Sequence, residues 1–456
     1  MPVGRCEGAK MVAEREAMNT GDIDVAEALI IVFTRFPDSG QVKTRLIPSL
    51  GPDGAATLQK KMTEFAIEQA GQSGIPMQIR FTEGTGVQMR EWLGVDCEYI
   101  PQGDGDLGER MERAFSEAFE AGAKKVVIIG TDCPDNRASN MRHSVRLLDQ
   151  ASCVIGPACD GGYYLIGLSA PQPELFRHIS WGTDRVFQQT IAKTGSYRLL
   201  PMLNDVDRPE DIPPKISVIV PTLNEELSIR TCIETISSGF NTEAVVVDGG
   251  SLDNTRSIVE EAGAAVFTTA EGRASQMNYG AKNATGEILL FLHADSELPQ
   301  TWDRHVREVI KRHRAALGYF RFSAKGCFPG KRLVEMGVNL RSRLLNRPYG
   351  DQGLFLLRDV FNALGGYPEV PILEDLFLVR RAENHGRLQC ADAALATSGR
   401  RWIKHGIIRT TLINQAVLLA AYMGGDLHKL KDAYRQGKNP FCALTGQTKL
   451  RKKTEP

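Results

Sequence analysis

Leu289-Leu290-Phe291-Leu292 is an apolar run that ends, after His293 and Ala294, in the carboxylate of Asp295 and is closed by Ser296-Glu297-Leu298-Pro299. Such a run reads as a buried strand, and an acid at its carboxyl end stands at the rim of an open α/β sheet, where these folds bind ligands and metals. The same punctuation occurs earlier in the chain. Lys124-Lys125-Val126-Val127-Ile128-Ile129 runs into Gly130-Thr131-Asp132, so Asp132 takes in the first half the place that Asp295 holds in the second.

With 456 residues, the chain exceeds one ordinary core. Strands alternate with helical stretches in both halves, which predicts an α/β protein with two largely parallel sheets. The boundary falls in Arg208-Pro209-Glu210-Asp211-Ile212-Pro213-Pro214, where prolines end regular structure without a long tether. The expected division is a disordered leader over 1–27, domains over 28–213 and 214–440, and a basic tail over 441–456. No apolar h-region is present in the leader.

Lys plus Arg and Asp plus Glu balance at 55 each, which gives no electrostatic footprint for nucleic acid and points to small-molecule partners. Nine dispersed cysteines, without a Cys-x-x-Cys pair, fit a reducing cytoplasm. Residues 407–424 are apolar but interrupted by Arg409, Asn414 and Gln415. That excludes a spanning helix and leaves two readings: a core helix with a solvated basic flank, or peripheral membrane contact through 400–424.

Val218-Ile219-Val220-Pro221-Thr222-Leu223-Asn224-Glu225, Val245-Val246-Val247-Asp248-Gly249-Gly250-Ser251 and the strand ending at Asp295 follow one another as in family 2 glycosyltransferases. The resemblance covers most of 215–440. It implies a GT-A fold, a nucleotide-sugar donor, foremost a UDP-sugar, and a divalent cation, Mg²⁺ or Mn²⁺, held by Asp295. His293 stands where the family carries the first acid of its Asp-x-Asp motif. Pro221, Asn224, Glu225, Asp248, Gly249, Arg273 and Arg401 are the implied donor-binding positions.

In Leu373-Glu374-Asp375-Leu376 the resemblance makes Asp375 the general base for the acceptor hydroxyl, with Glu374 beside it. Asp351 and Gln352 of Tyr349-Gly350-Asp351-Gln352-Gly353 are the acceptor candidates. Ser398-Gly399-Arg400-Arg401-Trp402 is a partial Gln-x-x-Arg-Trp motif, and its Ser398 argues for single sugar transfer over polymerisation.

In the first half, the loop Arg35 to Arg45 presents Lys43 and Arg45 to a phosphate. Together with Gly130-Thr131-Asp132-Cys133-Pro134, Asp160-Gly161-Gly162-Tyr163-Tyr164 and Asp205-Val206-Asp207, it resembles a DUF2064-like, nucleotidyltransferase-related GT-A family over 28–212. The resemblance implies metal ligation by Asp132 and Asp207 and donor contacts at Lys43, Arg45 and Asp160. It also implies a partner in a tandem pair associated with radical-SAM proteins and arsenosugar biosynthesis. The expected activity is a bifunctional transferase acting on a small-molecule acceptor. The rival is a membrane-associated glycosyltransferase with a lipid or carotenoid acceptor and a non-catalytic first domain; oligomeric state stays open.

Overall fold

The computed structural model describes residues 27–436. The expected leader, apart from Glu27, and the expected tail over 441–456 lie outside the described residues. Contacts divide the chain into two compact units, one ending at Ile212 and the other beginning at Pro213.

The first unit is built on β1 (Ala28–Arg35), β2 (Met77–Thr82), β3 (Glu98–Pro101), β4 (Lys125–Gly130), β5 (Cys153–Pro157), β6 (Tyr163–Leu168) and β7 (Tyr197–Leu199). Their order in the sheet is β3-β2-β1-β4-β6-β5-β7. The second contains β8 (Ile216–Thr222), β9 (Thr242–Asp248), β10 (Ala265–Thr268), β11 (Ile288–Phe291), β12 (Leu317–Ala324), β13 (Leu354–Leu357) and β14 (Leu388–Thr397). Its order, β10-β9-β8-β11-β13-β12-β14, repeats the first position for position. In each sheet one strand alone runs antiparallel to both neighbours: β6 against β4 and β5, and β13 against β11 and β12. Both units are therefore mainly parallel α/β sheets, as the sequence pattern predicts.

Unbroken apolar strands require cover on both faces, and both sheets have it. Ile30, Val32, Val127 and Ile129 of the first sheet join one core, whereas the alternate residues Ile31, Phe33, Val126 and Ile128 join another. In the second sheet Val218, Val246 and Leu290 face one side, and Ile219, Val247, Leu289 and Phe291 face the other. Each fully buried side chain of this size contributes about 1.5–3 kcal/mol of transfer free energy. The two cores thus hold the carboxyl ends of β1, β4, β8 and β11 at fixed positions, and the candidate sites are built on those ends.

Candidate functional site

In the second unit, the chain leaves β8 through Asn224, which adopts left-handed backbone at φ 55°, a region asparagine tolerates better than most residues. Asn224 Oδ1 accepts the Leu252 N–H at 2.8 Å, and its own N–H donates to Ser251 Oγ at 2.8 Å. These bonds sew the β8 loop to the β9 loop. Asp248, fully buried at the end of β9, accepts the N–H groups of Gly250 and Ser251 at 3.1 and 3.0 Å. Behind it, the Gln276 amide donates to the carbonyls of Thr222 and Val247, and a Cβ at Gly249 would lie 3.1 Å from that amide. Asn224, Asp248 and Gly249 therefore build the wall behind the site, held by their own loop hydrogen bonds.

A cavity of about 480 Å³ opens in front of this wall, lined by Pro221, Glu225, Arg273, His293, Asp295 and Glu374 among others. Asp295 Oδ2 lies 2.9 Å from the Arg400 guanidinium, and the same nitrogen is 3.1 Å from each Glu225 oxygen. Lys325 Nζ donates to the Asp295 carbonyl at 2.8 Å and pairs with Glu297 at 2.8 Å. Arg401, the expected phosphate partner, is turned to Tyr434: its guanidinium lies 3.7 Å from the ring centroid and donates to the Tyr434 carbonyl. Adjacent residues on a helix point in different directions, so Arg400 and Arg401 at the start of the helix Arg400–His405 take different partners, and Arg401 still lines the cavity.

Opposite, Glu374 and Asp375 open the helix Glu374–His385. Asp375 accepts the Gly350 N–H at 2.7 Å. A Cβ at Gly350 would lie 3.0 Å from His293 Nε2 and 3.4 Å from Asp375 Oδ2, so the missing side chain is what lets the imidazole and the carboxylate approach one backbone point. Burial, reinforced by Arg273 and opposed by Asp295 and Asp375, lowers the His293 pKa to about 4, and the ring is neutral at physiological pH. Glu374 is buried, 3.7 Å from Arg273; burial and then Asp375 raise its pKa, while Arg273 acts against them.

Asp351 and Gln352 part ways. Asp351 Oδ1 is buried without a hydrogen-bond partner, and burial raises its pKa to about 6 despite Arg341. Gln352 is fully buried and spent internally, its Oε1 accepting the Ser342 hydroxyl at 2.6 Å and its Nε2 donating to the Phe320 carbonyl at 3.0 Å. Gln352 is thus tied into the fold through both ends of its amide, whereas Asp351 Oδ1 is not.

In the first unit, Lys43 sits in left-handed backbone at φ 45° and sends its ammonium to Asp132 at 3.0 Å, Asp207 at 3.2 Å and the Val206 carbonyl at 2.8 Å. Burial would lower its pKa, but Asp132 and Asp207 outweigh it and the pKa is raised. Arg45 pairs with the other Asp207 oxygen at 2.9 Å. The expected metal pair Asp132 and Asp207 is thus already bridged by an ammonium. The carboxylates that do converge are those of Asp160, Asp205 and Asp207, whose oxygens lie within 4.8 Å of one another. Burial, then Asp160, raises the Asp205 pKa to about 6. Asp205 was not among the expected ligands, because only the fold shows that both acids of Asp205-Val206-Asp207 turn to Asp160. Gly161, at φ 91°, permits that turn: a Cβ there would lie 2.3 Å from the Asp184 carbonyl.

The two cavities differ in charge. The first, about 700 Å³, is lined by four cations, Arg35, Lys43, Arg45 and Arg110, against two carboxylates, Asp132 and Asp207. The second has four carboxylates, Glu225, Glu271, Asp295 and Glu374, against three cations, Arg273, Arg401 and Lys431. The cationic excess of the first lining suits a phosphate, and the slight acidic excess of the second suits a cation.

Known families match both units. Residues 65–183 match an uncharacterized protein family conserved in bacteria, DUF2064, and residues 217–364 match glycosyl transferase family 2. The chain is 33% identical over 97 residues to undecaprenyl-phosphate 4-deoxy-4-formamido-L-arabinose transferase of Shewanella sediminis, covering 18% of this chain and 29% of that one. It is 37% identical over 94 residues to a PGL/p-HBAD biosynthesis glycosyltransferase of Mycobacterium bovis, covering 19% and 37%. The chain thus spans about a third of the length of these curated relatives. Among solved structures, a chain assigned as a nucleotide-diphospho-sugar transferase from Desulfovibrio desulfuricans G20 is 34% identical, with a TM-score of 0.39 over 40% of this chain and 83% of that one. The mannosyltransferase PcManGT from Pyrobaculum calidifontis, in complex with GDP-Man and Mn²⁺, is 24% identical, with a TM-score of 0.36 over 50% and 67%. The chain carries a DUF2064 segment and a family 2 glycosyltransferase segment in tandem.

Proposed function

We propose, from this tandem, that the second unit transfers a sugar from a nucleotide-sugar, foremost a UDP-sugar, to an acceptor hydroxyl with inversion. The observation that carries the reading is the convergence of Arg400 on Asp295 and Glu225, two acids that line one cavity together with Glu374. Such a site must do two things: relieve negative charge on the departing diphosphate and take a proton from the attacking oxygen. Arg400, already held between two carboxylates, brings a guanidinium to the place where that charge would grow. Asp375, fixed by the Gly350 N–H, is the proposed base, with Glu374 lending its buried carboxyl to the donor side.

Asp295 and the neutral His293 fit a divalent cation, because they end one strand beside a cavity of net negative lining, and a guanidinium already stands against the acid. When bound there, Mg²⁺ or Mn²⁺ would neutralise leaving-group charge. In the first unit, Lys43, Arg45 and Arg110 would hold the phosphates of a nucleotide or sugar phosphate, with glycosyl or nucleotidyl transfer as the activity and the Asp160, Asp205 and Asp207 cluster as its metal position. The acceptor separates two readings. A small arsenosugar-like acceptor follows from the tandem resemblance, whereas a lipid is favoured by the apolar helices beside Tyr349 and Leu376; we adopt the lipid.

The test is turnover of UDP- and GDP-sugars by the full chain with Mg²⁺, Mn²⁺ or chelator. Asp295→Asn and Asp375→Asn should each lower turnover at least about a hundredfold with the fold intact. Undiminished turnover in Asp295→Asn would remove Asp295 from the site, and no turnover of any donor by the full chain would remove the transferase assignment.

A further inference from the structure

The helix Ile407–Tyr422 buries only Thr410, Val417 and Ala420, although eleven of its sixteen residues are apolar. Ile408 is 77% exposed, and Leu412, Leu419, Tyr422 and Met423 are open beside it. The neighbouring helix Lys331–Leu345 leaves Leu333, Met336, Leu340, Leu344 and Leu345 exposed, with Leu344 at 69%. A contiguous exposed apolar patch of this kind marks a surface that meets protein or lipid.

Three observations say what covers this face. Residues 331–347 and 398–425 together hold nine Lys and Arg against one acid, Glu335, and Arg332, Arg343 and Lys404 are exposed. No described helix is long and apolar enough to cross a membrane, so lipid contact would be confined to the surface. Finally, a cavity of about 860 Å³ between the two helices is lined by Leu345, Leu418 and Leu419 and reaches Tyr349 and Leu376, which adjoin Gly350 and Asp375 in sequence. The apolar groove thus reaches the residues next in sequence to Gly350 and Asp375.

We infer that these two helices dock the second unit on an anionic lipid bilayer, with Leu344 and Ile408 inserted, the basic side chains against headgroups, and the groove open to the aliphatic chain of a membrane-borne acceptor. The inference rests on Asp375 marking the acceptor side. Its physical basis is a two-part attraction: apolar insertion, and basic residues that each favour an anionic surface and weaken with salt.

The full chain is mixed with phosphatidylcholine vesicles or with vesicles that also contain phosphatidylglycerol, and binding is read by flotation at low and high salt. Binding should require phosphatidylglycerol, weaken with salt, and fall at least about tenfold in Leu344→Glu/Ile408→Glu, whose replaced side chains are exposed. A matching melting temperature establishes that this variant is folded; if it is not, Arg332→Glu/Lys404→Glu supplies the comparison with the same expected loss. Absence of binding overturns the docking surface, as does binding that the folded variants retain. A dimer in sedimentation that Leu344→Glu/Ile408→Glu dissolves, without vesicle binding, would assign the face to a second copy and also overturn it. Donor turnover by the unsubstituted chain without lipid reports on the transferase reading separately.

Discussion

Lys43→Met tests the arrangement of charge in the first unit. The ammonium is almost fully enclosed, its side chain 7% exposed, and it holds three oxygens: Val206 O at 2.8 Å, Asp132 at 3.0 Å and Asp207 at 3.2 Å. A hydrogen bond to a charged group contributes about 1.5–3 kcal/mol, and leaving buried acids without their partner costs more. Here the loss is moderated, because the Asp132 and Asp207 side chains are 52% and 31% exposed and can recover water. The expected destabilisation is about 2 kcal/mol, or a fall of about 4–8 °C in the melting temperature of a unit this size. The vacated space lies between two carboxylates, so Mg²⁺ should recover part of the loss in the variant. Occupancy at ten times the dissociation constant would return about 1.4 kcal/mol. The assay is calorimetry of the full chain and the variant with and without Mg²⁺. A variant as stable as the parent, with no gain from Mg²⁺ beyond the parent's, would refute the reasoning that Lys43 stands in for a cation there.

Glu243 gives a pH prediction: its carboxylate accepts from Lys215, Ser217 and Thr285, and these bonds overcome the effect of burial to bring its pKa from 4.5 down to about 2. Because the folded pKa is the lower one, this stabilisation is complete above about pH 4.5 and is lost as pH falls toward 2; Glu243→Gln should remove about 2–3 kcal/mol at pH 7 and little at pH 2, measured by urea unfolding at both. Gln352→Leu should cost about 1–3 kcal/mol by leaving the Phe320 carbonyl without its Gln352 donor, while the Ser342 hydroxyl turns to the Val338 carbonyl. In the folded fraction it should leave the acceptor KM close to the parent's, and a selective rise in that KM would restore Gln352 as an acceptor contact.

The two-unit architecture was legible in sequence because buried parallel strands require continuous apolar runs, and Lys125–Gly130 and Ile288–Phe291 carry that requirement locally. The acids Asp132 and Asp295 could be placed at strand ends for the same reason. What each acid faces is a different matter, since it depends on chain segments far away in sequence. Arg400 reaches Asp295 across 105 positions, and Lys43 reaches Asp207 across 164. The contacts of Arg401 and Gln352 were not legible in the motifs because side-chain direction follows from helix rotation and packing, which the motif spacing does not encode. Sequence by itself determined two α/β sheets and the strand-end acids, because hydrophobic periodicity is a local property. Only the tertiary structure decided which cation answers each acid, which amide is spent inside the fold, and which apolar helix is left facing outward, because those follow from three-dimensional packing of distant segments.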